Sequence, residues 1–221
     1  MRTNYKRFKT IRLPTGCWVF VAVFPMLILM NSCATSYHVR AWSSNSDFDR
    51  NLNKVLVMGL INNVSRRFDV EREIVDAARK TNMSGTKGMA LFPPEMGKPF
   101  DNIQRVRERL QERGFDAVLT VAIIDVSAER YIGPERQYIP QVYYNRFGNY
   151  YYHTYAVVYT EGYYTLDSQY FLETNLYELK GGTLIWSGRS FTFDPLDFDR
   201  FLPRYSKHLF KELRQDGVIA D

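Results

Sequence analysis

Ala117-Val118-Leu119-Thr120-Val121-Ala122-Ile123-Ile124-Asp125-Val126 is almost unbroken apolar sequence rich in β-branched residues. A continuous run of this kind predicts a strand, the strongest in the chain, and the strand–helix alternation around it favours a sheet with helices packed on it. The preceding sequence supplies them. Lys54 to Leu60 (Lys-Val-Leu-Val-Met-Gly-Leu) is a second such run. After it Val64, Phe68, Glu71, Val75 and Ala78 recur at helical spacing with Ile74 widening the stripe, while Arg66, Arg67, Arg72, Asp76 and Arg79 fall elsewhere. Gly85 to Leu91 predicts a weaker strand, and Phe92-Pro93-Pro94 with Gly97 and Pro99 marks a loop. Asp101 is suited to cap a second helix that turns Ile103, Val106 and Leu110 inward and stops at Gly114. The order strand, helix, strand, helix, strand is a βαβαβ unit.

Beyond Ser127 the composition changes, and 10 of the 16 tyrosines fall between Tyr138 and Tyr164. Phe171 to Leu179 and Thr183 to Phe193, joined by Lys180-Gly181-Gly182, predict an antiparallel hairpin. Phe198, Phe201, Leu202, Tyr205, Leu209 and Leu213 share one face of a final helix that begins near Asp199 and stops at Gly217, with Pro203 expected in its first turn. The fold class expected is α/β (α+β): a mixed sheet built from a βαβαβ half and a hairpin, helices packed on it, and a C-terminal amphipathic helix. It should form one domain over residues 54–221, with a Tyr-rich loop at 138–164.

The N-terminal end reads differently. Residues 1–12 carry Arg2, Lys6, Arg7, Lys9 and Arg12 and no acid, and Cys17 to Met30 is apolar except for Pro25. That stretch is too short to span a bilayer and matches a secretory signal over residues 1–32. Met30-Asn31-Ser32-Cys33 resembles the lipobox of bacterial lipoproteins. Met30 stands where leucine is usual and Asn31 is larger than common, while Ser32 and Cys33 fit. The resemblance implies that Cys33 receives a diacylglycerol thioether and becomes the new N-terminus, commonly with a further amide-linked chain. One acyl chain holds a protein only marginally, so two or three make the durable membrane anchor. The competing readings are an ordinary cleaved signal or an uncleaved anchor with Cys33 nearby by chance. Residues 33–53, rich in Ser and Asn without a period, read as a tether.

Charge follows from that division. The chain has 29 Lys+Arg and 24 Asp+Glu, and residues 1–32 hold five of the bases and none of the acids. The remainder is therefore balanced and lacks the positive footprint of a nucleic-acid binder. With Cys17 in the signal and Cys33 acylated, no thiol is left for a disulfide, a metal site or a nucleophile.

Lys-Val-Leu-Val-Met-Gly (54–59), Gly114-Phe115-Asp116-Ala117-Val118-Leu119, Leu172-Glu173-Thr174-Asn175-Leu176-Tyr177 and Leu184-Ile185-Trp186-Ser187 resemble a group of small envelope lipoproteins of Gram-negative bacteria. In that group a Tyr/Gly-rich loop separates a βαβαβ half from a hairpin ending in an aliphatic-Trp-Ser motif. The layout also looks like the α/β domain of the curli-secretion lipoprotein and the N-terminal domain of the Tol-Pal propeller protein. The resemblance implies a fold and an envelope location but no reaction. Ala34, rather than Asp, follows Cys33, which by the Gram-negative sorting rule favours the outer membrane, facing the periplasm.

Catalytic signals are sparse. His38, His153 and His208 are scattered, no ligand set has metal spacing, and no metal or cofactor is expected. Gly85-Thr86-Lys87-Gly88 lacks the order that wraps phosphates and reads as a turn. Glu161, Asp167 and Glu173 offer a carboxylate pair for glycan hydrolysis only as a remote alternative. The expectation is a protein that is not an enzyme. Its contact candidates are Tyr143, Tyr144, Tyr150, Tyr151 and Tyr152, read as an exposed tip between two strands that meets an envelope protein or polysaccharide. Tyr155 to Tyr164 would fill alternate positions of a sheet. An oligomeric component of a secretion or assembly complex is the rival reading.

Overall fold

The run expected to be the strongest strand is a strand over Ala117–Asp125, buried at every residue except Ile124. The computed structural model describes residues 40–44, 52–81, 83–93, 100–125, 142–159 and 169–220. Contacts divide the chain into Met1–Ser36 and Tyr37–Asp221, and the first unit, with the signal stretch and Cys33, lies outside the described residues.

Six strands, β1 (Arg40–Ser43), β2 (Lys54–Leu60), β3 (Ser84–Lys87), β4 (Ala117–Asp125), β5 (Tyr170–Glu178) and β6 (Leu184–Arg189), form one sheet in the order β1-β6-β5-β4-β2-β3. β2 runs parallel to β3 and β4, whereas β4, β5, β6 and β1 pair antiparallel. Among the described residues four helices cover it: α1 (Val64–Ala78), α2 (Ile103–Glu112), α3 (Phe147–Val158) and α4 (Phe198–Gln215). The mixed α/β class expected from sequence is the class observed.

Strand alternation builds two cores. Val55, Val57, Leu119, Val121, Leu172 and Leu176 face one way with Val70 and Ile74 of α1 and Leu202, Tyr205 and Leu209 of α4. Leu56, Met58, Val118, Ala122 and Tyr177 face the other way with Leu110 of α2 and Phe147, Tyr150 and Tyr151 of α3. Burying each such side chain is worth about 1.5–3 kcal/mol. The route from β2 to β3 steps one way along the sheet and the route from β3 to β4 steps back across β2. Right-handed crossovers taken in opposite directions put their helices on opposite faces, as seen for α1 and α2.

Several local expectations are corrected. The supposed tether contributes β1, which pairs Arg40–Ser43 with Trp186–Arg189 of β6, and Leu52 is buried. The described part of the Tyr-rich segment, residues 142–159, is not a tip between two strands. It forms a short 3-10 turn, Val142–Asn145, followed by α3. Packing overrides the β preference of tyrosine there, because Phe147, Tyr150, Tyr151, Thr154 and Val158 recur at helical spacing and all are buried.

Smaller shifts follow the same logic. On α1 the buried set is Val70, Glu71, Ile74, Val75 and Ala78, while Val64 and Phe68 are exposed. Asn102 caps α2 in place of Asp101, its Oδ1 accepting the Arg105 N–H at 3.0 Å. β3 ends at Lys87 and gives way to a 3-10 turn, Gly88–Ala90, so Gly85-Thr86-Lys87 is strand rather than turn. Pro203 stands in the second turn of α4, where its missing N–H removes one ladder bond. The helix tolerates the loss because all six of its predicted apolar residues are buried, and the Trp186 Nε1–H donates to Asp216 Oδ2 at 2.7 Å just past its C-terminal end. Gly114, Gly182 and Gly217 adopt positive φ at the stops the sequence marks.

Candidate functional site

Where β2 ends, the sheet presents the carboxyl end of an interior strand between helices that lie on opposite faces. Open α/β sheets place ligand sites at such reversal points. A cleft of about 300 Å³ occupies this one. Its floor is Met58, Gly59, Leu60 and Ile61, one rim is Asn62, Val64 and Arg67 at the start of α1, and the facing wall is Phe92, Phe100, Tyr151, Tyr155 and Tyr159.

The charged group of the described lining is Arg67, and its environment follows from Glu71 one helical turn later. Glu71 is fully buried. Its Oε1 accepts the Gly59 N–H at 3.0 Å and the Arg67 Nε–H at 2.9 Å, and its Oε2 accepts the Met89 N–H at 2.7 Å. Arg67 also donates from Nη2 to the Phe92 carbonyl at 3.0 Å. One carboxylate therefore ties β2, α1 and the turn after β3 together, and it neutralises the guanidinium beside it. The close approach needs glycine. A Cβ on Gly88 would stand 2.8 Å from the Val57 carbonyl oxygen and 3.0 Å from Glu71 Oε1.

The aromatic wall is continuous. Phe92 meets Phe100 edge-on at 4.7 Å, Phe100 stacks on Tyr151 at 4.7 Å, Tyr151 lies 5.8 Å from Tyr155, and Tyr155 stacks on Tyr159 at 4.1 Å. The Tyr152 hydroxyl donates to the Phe100 carbonyl at 2.6 Å and so steadies the loop against α3. Burial pushes the hydroxyls of Tyr151, Tyr155 and Tyr159 up, in Tyr159 against the pull of the Arg67 charge. All three stay protonated donors at neutral pH. Among its described residues the lining holds no carboxylate, imidazole, thiol or serine hydroxyl.

The five tyrosines proposed as an exposed tip are distributed otherwise. Tyr144, Tyr150 and Tyr151 are buried, Tyr151 at the cleft wall, and Tyr152 is exposed at 39 %. Tyr143 belongs to the turn Val142–Asn145. Tyr144 serves a different cluster inside the second core: its hydroxyl donates to Glu173 Oε2 at 2.7 Å, which also accepts from Arg189 Nε at 2.8 Å and Nη2 at 2.7 Å. Burial pushes the Glu173 carboxyl up to about 7 and the Arg189 guanidinium down to about 10. Glu161 and Asp167 lie outside the described residues, and Glu173 belongs to this core cluster. His38 also lies outside them, His153 is exposed on α3, and His208 is half-buried on α4. No group of three His, Cys, Asp or Glu is placed to hold a metal among the described residues.

Sequence reasoning missed Arg67, Tyr155 and Tyr159. A signal was present in Glu71, a charged residue standing on an otherwise apolar stripe.

No protein-family model matches the chain, and no curated protein matches it. Solved structures do. A dodecamer of a PelC point variant from Paraburkholderia phytofirmans is 13 % identical, with 72 % of this chain and 82 % of that one covered and a TM-score of 0.37. A PelC dodecamer from the same organism in another crystal form is 12 % identical over 72 % and 81 %, TM-score 0.38. Lipoprotein GNA1162 from Neisseria meningitidis is 13 % identical over 64 % and 79 %, TM-score 0.34. At TM-scores below 0.5 these likenesses bear on neither activity nor partner.

Proposed function

We propose that the chain is a lipid-anchored envelope protein without catalytic activity, whose α/β domain binds an envelope molecule in the cleft at the carboxyl end of β2. The observation that carries the binding role is the cleft itself: a concave, aromatic-walled site with preplaced hydrogen-bond donors and no nucleophile or acid/base pair among its described lining. The lipobox-like Met30-Asn31-Ser32-Cys33 supports anchoring, and Ala34 favours the outer membrane. Among the described residues no helix is long and apolar enough to cross a membrane. Confinement to a thin layer raises the effective concentration of the domain for neighbours, so modest affinity suffices.

Mass spectrometry of the purified protein should find a diacylglycerol thioether on Cys33, and Cys33→Ser should release the protein from sedimenting membranes. A bare thiol, or unchanged sedimentation of the variant, removes the anchor. A photoreactive residue at position 155, on the cleft wall, should capture an envelope molecule in intact cells. A ring-sized species on size measurement of the extracted protein would favour the assembly-component reading instead.

A further inference from the structure

The end of the sheet away from the cleft gathers positive charge. Ala117 opens β4 opposite Glu178 at the close of β5, so the turn over residues 179–183 lies at the amino end of β2 and β4. Two arginines from separate elements reach it. Arg107 of α2 donates from Nη1 to the Gly181 carbonyl at 3.1 Å. Arg146, the N-cap of α3, donates from Nη1 to the same carbonyl at 2.7 Å and to Thr183 Oγ1 at 3.1 Å. We propose that this turn is an anion site that takes a phosphomonoester group, gripped by Arg146 with Arg107 and Lys180 beside it.

Backbone pairing holds the two guanidinium groups together. Arg146 bridges Thr183 in antiparallel fashion, and the Phe147 N–H donates to the Gly182 carbonyl at 3.0 Å. Gly182, at φ 67°, leaves room for Arg107 because it lacks a side chain; a Cβ there would collide with Arg107 Nη1. Like charges held at one oxygen favour a counter-ion. Among the described residues neither arginine has a carboxylate partner, and Lys180, exposed in the same turn, has none either. The acid beside them is Glu178, whose Oε1 stands 2.7 Å from where a Cβ on Gly181 would be. One carboxylate among three cations leaves two positive charges unmatched. The first turn of α3 holds no acid, so the helix dipole adds to that excess.

The donors left over select the anion. All three hydrogen bonds leave from Nη1, so the Nε–Nη2 edge, which grips an oxyanion through two parallel bonds, is unused on both arginines. Arg146 is exposed and keeps that edge free among the described residues. Arg107 is half-buried with its Nε sealed off and unpartnered, so it contributes mainly charge. A carboxylate brings one charge and two coplanar oxygens, enough for a single guanidinium edge. A phosphomonoester brings a charge of about −1.5 to −2 and three terminal oxygens set tetrahedrally, which matches the excess and spans groups arriving from α2 and α3.

The test is titration calorimetry of the purified full-length protein in nonionic detergent with glycerol 3-phosphate, dihexanoyl phosphatidate and succinate. The first two carry the same group on a free metabolite and on a lipid, and the third is a dianion made of carboxylates. At least one phosphomonoester should bind, more tightly than succinate and more weakly as salt rises. Its affinity should increase between about pH 5 and about pH 7.5, as the second phosphate proton leaves near pH 6. Binding of glycerol 3-phosphate supports a free ligand, and binding of the phosphatidate alone supports a lipid headgroup. Arg146→Ala should weaken binding at least about tenfold. Arg146→Lys, which keeps the charge but not the fork, should weaken it several-fold, and Arg107→Ala should act in the same direction. If Arg107→Ala loses the circular dichroism of the fold, Lys180→Ala takes its place. Arg200→Ala, exposed on α4, should leave binding unchanged. No binding of either phosphomonoester, equally tight binding of succinate, or unaltered affinity in Arg146→Ala would overturn the inference, and none of these outcomes bears on the cleft at the other end of the sheet.

Discussion

Arg189 and Glu173 show what a single buried pair demands. Both lie in the second core, where desolvation disfavours either charge, and they persist because each also has the Tyr144 hydroxyl within reach. Arg189→Met removes one partner and should cost about 3–5 kcal/mol in urea unfolding, and adding Glu173→Gln to it should recover most of the loss. If the double variant is as unstable as the single one, the pair is not a coupled unit. The tyrosines set a second expectation. Burial raises Tyr150, Tyr151 and Tyr205 above their ordinary value. A raised folded-state value favours the native state below the unfolded value, near 10, and that contribution disappears as pH climbs through the folded value. Alkaline titration followed at 295 nm should therefore show a set of tyrosines that ionise only as circular dichroism is lost; smooth ionisation of all of them with the fold intact would contradict the burial. These residues were hardly legible in advance. Tyrosine suits an exposed recognition surface and a core equally, and nothing in Tyr150 or Tyr144 taken singly says which neighbour will cover it.

Elements were read best where the pattern is one-dimensional. β2 and α4 agree with expectation closely, since a continuous apolar run or a six-residue stripe constrains one face or both without reference to anything distant. α3 was illegible because its tyrosines satisfy both periods. Tyr150 to Tyr152 looks like strand, while the buried Phe147, Tyr150, Tyr151, Thr154 and Val158 are spaced for a helix, and the sheet face beneath chose between them. The 3-10 turn Gly88–Ala90 is likewise set by a distant partner, the carboxylate of Glu71. Gly88→Ala should place a methyl against the backbone of β2, which cannot yield as a side-chain tip would, and lower unfolding stability by about 1–3 kcal/mol. Retention of full stability would mean that the turn has room to move.

At the scale of the molecule, the sheet joins a parallel half, where the cleft lies, to an antiparallel half edged by β1. The parallel half announced itself through strand–helix alternation, but the edge strand did not. Its four residues carry a Ser/Asn-rich context, and only the pairing with β6 gives them structure. A chain begun at Lys54 should lose that strand and the buried Leu52, melt at lower temperature than one begun at Tyr37, and associate through the uncovered β6 edge, as size measurement at rising concentration would show. Equal melting of the two would make β1 dispensable.

Glu71 gathers two amide protons, those of Gly59 and Met89, from stretches of backbone far apart in sequence, together with a guanidinium that faces the cleft. Anything that settles against Arg67 is thereby felt by both amides. Their deuterium uptake and nitrogen–proton resonances form a built-in gauge of occupancy, readable even when the occupant itself gives no signal.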